Sequence, residues 1–266
     1  MVCYVVANRK GGVGKSSTSS ALFNWFECQF NDHKNHKYHN HTDSKVLLID
    51  LDSQCNVSFS LGIDVVATSN ITTIADVFAG TSTLEKAMIQ HSENGYIVPG
   101  SELLTDYDNG TEDFKVDLKT ALKSISKKFQ YCIIDAPPSL GRLTVSALLA
   151  GDELIIPSQA DIYSVQGLNS MIKILESVQE YNKIHVAGIL LTRNNERLLL
   201  TKMLTELLDE KAKELNTKIF KSSIREGVAI REASAQQIGL FDYDPKLKSN
   251  VAIDYDNFIR ELLEVK

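Results

Sequence analysis

The segment CYVVANRKGGVGKSSTSSALFNWF, residues 3–26, constrains the fold more than any other stretch. Residues 2–7 are apolar without interruption and half of them are valine, the pattern of a strand covered on both faces. Gly11, Gly12 and Gly14 then break the run, and residues 16–26 resume with helical apolar spacing. A buried strand that feeds a glycine loop and then a helix finds cover for both faces in a parallel sheet between helical layers.

The rest of the chain repeats this grammar. Strand-like runs occur at 46–50, 96–98, 131–135, 153–157 and 186–191, and helical spacing at 84–89, 116–125, 143–149, 165–178, 198–215 and 253–263. The alternation predicts an α/β fold with a doubly wound, mainly parallel sheet flanked by helices. Sheets of this kind often close as one unit at 266 residues, so residues 1–266 are expected to form a single domain.

Composition removes several classes. With 43% hydrophobic and 23% charged residues the chain is not of the disordered type. No apolar run nears the roughly 20 residues of a membrane helix, and no basic signal segment precedes the first strand, so a cytoplasmic protein with no membrane partner is expected. A net charge of −6 restricts any nucleic-acid contact to a local patch. Cys3, Cys28, Cys55 and Cys132 lack metal-type spacing. Residues 31–45 are a polar, His-rich insertion in which His33, His36, His39 and His41 could ligate a metal, although a solvated loop is the simpler account.

The glycine loop has phosphate-binding character. Gly14, Lys15 and Ser16 fill the last three positions of G-x-x-x-x-G-K-[ST], while Arg9 stands where the first glycine belongs. Lys15 is expected on the β- and γ-phosphates, with Ser16 ligating Mg²⁺. A second metal carboxylate should end a buried strand, and YCIIDAPP offers Asp135. Asp50 and Asp52, two apart in VLLIDLDSQ, could share a face, one beside the metal and one orienting water. The surplus Lys10 could act as arginine fingers do if a second subunit received it.

The order xKGGVGK[ST], LLIDLDxQxN, YxIIDAPPSLG, continued by YIVPGS, LIIPSQADIYSVQGL, GILLTR, EA, DYDP and Tyr255, resembles the deviant Walker A family of P-loop ATPases, specifically its ParA/Soj branch. The resemblance implies a nucleotide-binding stretch of Lys10, Gly11, Gly12, Val13, Gly14, Lys15, Ser16 and Ser17, with ATP and Mg²⁺ as ligands. It makes Lys10 the signature lysine that reaches the partner's nucleotide in an ATP-dependent homodimer, Lys15 the phosphate-loop lysine, and Asp52 the aspartate behind water attack. Ser16, Asp50 and Asp135 become the metal side. Asn194 and Asn195, after the GILLTR strand, would flank adenine.

The function implied is DNA partitioning for a plasmid or chromosome. ATP closes the dimer on non-specific DNA, a ParB-type centromere-binding partner stimulates hydrolysis and release, and the protein associates with the nucleoid. Two departures stand out. The family's D-P-Q-G-N is Asp52-Ser53-Gln54-Cys55-Asn56, and its DNA-contacting I-P-R-x-V-R-x-x-E-A is IREGVAIREA, with Glu226 and Ala229 at the arginine positions. Lys202, Lys221, Arg225 and Arg231 are the candidate substitutes. No helix-turn-helix segment precedes residue 8, so autorepression through one is not expected. The alternatives are a MinD-like membrane-cycling ATPase, for which NFIRELLEVK is too short and mixed in charge, and a nucleotide-dependent structural switch or polymer with little turnover.

Overall fold

A computed structural model describes residues 1–31, 44–68, 70–194 and 199–264. Its strands are β1 (Val2–Val6), β2 (Val46–Asp50), β3 (Ile89–Gln90), β4 (Gly95–Val98), β5 (Tyr131–Asp135), β6 (Glu153–Ser158), β7 (His185–Asn194) and β8 (Ile224–Arg225). Its helices are α1 (Lys15–Asn31), α2 (Asn56–Ser60), α3 (Ile74–Phe78), α4 (Leu84–Ala87), α5 (Leu104–Asn109), α6 (Leu118–Ile125), α7 (Arg142–Ala150), α8 (Ile162–Gln179), α9 (Leu199–Glu214), α10 (Ala229–Ala235), α11 (Leu240–Tyr243) and α12 (Asn250–Glu264).

The strands form one sheet in the order β3-β4-β2-β5-β1-β6-β7-β8. Every pairing is parallel except β3 with β4. Strand side chains alternate between two cores, as the pleat requires. Cys3, Val5, Leu47, Ile49, Cys132 and Ile134 pack on the α3–α9 side, whereas Tyr4, Val6, Val46, Leu48 and Ile133 pack on the side of α1, α2 and α10–α12. This two-sided burial is why the central strands read as unbroken apolar runs.

The chain leaves β1 toward β2 on one side, while β6 lies on the other. β1 is therefore where the order of connections reverses, and its C-terminal end is the expected ligand position of such a sheet. The register sets Asp135 level with Val6 on one side and with Asp50 on the other, so both acids end their strands beside that point.

One element differs from its sequence reading. The helical spacing of 84–89 stops at Ala87, because Met88 takes an extended backbone and Ile89 pairs with Ile97 as the antiparallel edge strand. The two-residue strands β3 and β8 and the short helices α2, α3, α5, α10 and α11 are too brief to show periodicity. The His-rich insertion, apart from its ends, lies outside the described residues.

Candidate functional site

Between β1 and α1 the backbone makes two turns that need glycine, since Gly12 and Gly14 have φ of 73° and 88°. Gly14 also passes close to β7. A Cβ there would lie 3.5 Å from Thr192 Cγ2, and Thr192 Oγ1 donates to the Val13 carbonyl at 2.8 Å. The loop is thus fastened to a strand almost 180 residues away in sequence. Lys15 is buried and donates to the Lys10 carbonyl at 3.0 Å. Burial pushes its ammonium below the usual lysine range, and the nearby charges of Asp135 and Asp52 work against that shift.

Asp135 is fully buried at the end of β5. Ser19 Oγ donates to its Oδ1 at 2.7 Å, and Oδ2 has no hydrogen-bond partner among the described residues. Burial pushes the carboxyl up to about 6, opposed by Ser19, Ser16 and Lys15. A buried carboxylate oxygen with nothing to bind, beside a serine hydroxyl and a lysine, suits a hard cation that takes few protein oxygens. Ser16 and Asp135 therefore fit Mg²⁺.

Asp50, expected on the metal side, lies level with Asp135 and is held by protein donors. Its Oδ1 accepts the Asp52 amide at 3.0 Å, and its Oδ2 accepts the Ser58 amide at 3.1 Å and the Ser58 hydroxyl at 2.7 Å. Both oxygens are engaged by protein donors, so Asp50 shapes the 51–58 loop and through it places Asp52. Burial, then the charge of Asp135, pushes its carboxyl up. Asp52 is also buried and uses Oδ1 to accept the Gln54 amide at 3.0 Å. The loss of the family's glycine is visible here. Cys55, which stands in its place, holds φ 52° and ψ 28°, a left-handed conformation that costs a non-glycine residue of order 1 kcal/mol.

Lys10 lies at the rim, anchored by contacts that sequence reasoning did not supply. Its Nζ forms an ion pair with Asp161 and approaches Gln159 Oε1 at 3.4 Å. Asp161 also caps α8 by accepting the Ser164 amide at 2.9 Å, and Gln159 Nε2 donates to the Gly12 carbonyl at 3.2 Å. Asn8 joins the same strand end through its amide to the Pro157 carbonyl at 2.7 Å. Gln159 and Asp161 follow the C-terminal end of β6, the edge where sites of this architecture gather, and that position was the available signal.

A hollow of about 120 Å³ opens beside the loop, lined by Gly14, Ser17, Thr192, Ile224, Arg225 and Tyr255 among others. Asn194 ends β7 nearby, donating Nδ2 to Ser223 Oγ at 3.0 Å, while its buried Oδ1 has no partner among the described residues. That free acceptor is what an exocyclic amine of a base would need. Asn195 lies outside the described residues.

Of the DNA candidates, Arg225 and Arg231 line one hollow. Arg225 is clamped to Asp254 of α12, with Nε at 2.9 Å from Oδ2 and Nη2 at 2.6 Å from Oδ1. It lines the hollow beside the loop, as does Arg231. Lys221 is exposed, but its backbone amide donates to Glu261 at 2.9 Å. The side chain of Lys202 lies outside the described residues. Ala229, at the second arginine position, is 5% exposed and packs into the core.

Residues 1–188 match a family model described as an AAA domain. The sporulation initiation inhibitor protein Soj of Bacillus subtilis is 30% identical over 91% of this chain and 90% of its own. The chromosome partitioning protein ParA of Caulobacter vibrioides is 29% identical over 97% and 92%. Among solved structures, the complex of a Cyanothece McdA variant with ATP superposes with a TM-score of 0.81, at 24% identity over 100% of this chain and 97% of that one, a likeness of fold.

Proposed function

The chain belongs to the ParA/Soj family of AAA-domain ATPases, and from that premise we propose that residues 1–266 act as one ATP-hydrolysing partition switch. ATP closes two copies face to face, the dimer holds DNA without sequence preference, and a ParB-type centromere-binding partner triggers hydrolysis and release. The observation that carries this reading is the division of the loop's two lysines. Lys15 is buried toward Asp135 and Asp52, whereas Lys10 stands at the rim, 27% exposed and paired through its ammonium with Asp161 and Gln159, acceptors that it can leave.

Each group has a chemical task. The amides of Gly11 to Ser16, at the start of α1, form a donor cradle for phosphate oxygens. Lys15 neutralises the β- and γ-phosphates, and Asp52 directs its remaining oxygen at the attacking water. Ser16 and Asp135 would hold Mg²⁺, which would supply charge neutralisation on the phosphates. Lys10 from the second copy stabilises charge that develops in transfer, so turnover depends on dimerisation.

The face around Lys10 supports the dimer. Ile162 and Tyr163, directly after the Asp161 that pairs with Lys10, are 51% and 69% exposed. Apolar side chains on the rim of a phosphate site are suited to a second copy. The test compares wild type with Lys10→Ala for ATP-dependent dimerisation and hydrolysis. The variant should bind nucleotide and fail to turn it over, and wild-type turnover by Lys10→Ala would refute the reading.

The Arg225–Asp254 clamp and the buried Ala229 favour a second reading of the output, a nucleotide-dependent switch that does not hold DNA through this face. Co-sedimentation with duplex DNA in ATP and in ADP separates the two. Retention in ATP alone supports partitioning, and retention in neither leaves the ATPase switch.

A further inference from the structure

A groove of about 690 Å³ runs over the outer face of α7, away from the phosphate loop's own hollow. Its floor is the half-buried row Arg142, Val145, Ser146 and Leu149, three and four residues apart and so on one face of the helix. Phe114 and Leu118 of the α6 side form one wall, and Tyr181, 78% exposed beyond the end of α8, stands at the other. Arg142 does not point a free charge into it, since its guanidinium lies 5.3 Å from the Phe114 ring centroid and pairs with Asp113 at 2.7 Å.

The wall formed by α6 is cationic in a chain of net charge −6. Residues 118–130, LKTALKSISKKFQ, contain four lysines and no acid. Lys119 lines the groove and reaches Asn182 Oδ1 at 3.0 Å, and Lys123 follows one turn later on the same side. Lys115, Lys123 and Lys127 are exposed and form no ion pair among the described residues. Of the acids nearby, Asp117 caps α6 through the Thr120 amide at 2.8 Å, Asp113 holds Arg142 and Glu85 holds Lys128, while Glu112, beside Asp113, and Glu180, beside Tyr181, are exposed.

We propose that this groove receives a helical segment of a partner protein that carries apolar anchors on one face and carboxylates along its flank. The trough over α7, between α6 and the end of α8, has the shape a further helix fills, with anchors at i, i+3 or i+4, and i+7. The lysine row then sets the orientation and speeds encounter by complementary charge. A polyanion such as DNA would use the lysines and leave the apolar floor bare, and a small apolar ligand would make no use of the lysines. The proposal does not depend on nucleotide turnover, so its failure leaves the ATPase reading intact.

The probe is a fluorescein-labelled amphipathic peptide of about five helical turns, with leucines on one face and glutamates elsewhere. Its counterpart carries lysines in place of the glutamates. Anisotropy titration of the full chain should show the acidic peptide bound at least about tenfold tighter than the basic one. Lys119→Glu with Lys123→Glu, both at the surface, should reverse that preference, with melting and ATPase activity unchanged as controls on folding. Val145→Glu, which places a charge on the floor, should weaken both peptides. Equal affinity for the two peptides, or indifference to the lysine reversal, overturns the proposal. Displacement of the acidic peptide by duplex DNA also overturns it, by making the surface a polyanion site.

Discussion

If Asp161 holds Lys10 within its own subunit, removing that charge should promote the dimer. Asp161→Asn is the informative change, because asparagine remains a good helix cap and can still accept the Ser164 amide. The two side chains are 27% and 30% exposed, between a solvated pair and a buried one. Such a pair contributes about 1 kcal/mol. Each subunit must release one Lys10 to form a two-fold dimer, so the variant favours association by about 2 kcal/mol per dimer, or about 30-fold in its dissociation constant. The monomer loses the same pair, and at this chain length its melting temperature should drop by about 2–4 °C. Sedimentation equilibrium in ATP and a thermal melt of the apoprotein measure the two effects. A variant that is merely damaged would weaken in both. A dimer that is unchanged or weaker in Asp161→Asn would refute the reasoning, and would instead place Asp161 among the contacts of the closed state.

Gly100→Ala should strike the catalytic loop from behind, since a Cβ there would lie 2.7 Å from the Asp52 carbonyl oxygen and 3.2 Å from Asp50 Cγ. A loss of about 1–3 kcal/mol in urea unfolding is expected, with turnover reduced more than nucleotide affinity. Arg225→Ala should lower stability by about 1 kcal/mol, a modest figure because the arginine side chain is 48% exposed, and should leave retention on DNA unchanged; loss of retention would restore Arg225 as a DNA contact. The His91–Glu27 pair, 2.8 Å apart, gives a pH signature. Burial lowers the His91 pKa, but the Glu27 hydrogen bond and charge outweigh it and the net shift is upward. The pair therefore stabilises fully below the unfolded value of about 6.5, and that contribution is lost as pH rises through the higher folded value. Denaturant titrations should show Glu27→Gln costing more at pH 5.5 than at pH 8.5, and an equal cost at both would remove the charge from the account.

The order of elements was legible because it depends on local pattern. Residues 46–50, 131–135 and 153–157 are apolar at every position or nearly so, and only a sheet covered on both faces buries such runs. The loop was legible for a similar reason, since two of its glycines hold angles other residues avoid. The edge strand β3 was not, because two residues carry no period and their pairing with β4 depends on where the chain turns back.

What the sequence by itself determined, then, is the strand-loop-helix grammar and the residue types at the end of each strand: two lysines on the loop, and acids at Asp50, Asp52 and Asp135. Only the tertiary structure decided which of these groups meet. Asp50 is held by Ser58, Lys10 by Asp161, and Arg225 by Asp254. Spacing along the chain could not say so, because a side chain's partners are set by which strand ends lie adjacent in the sheet, and the order of strands in the sheet is not their order in the chain.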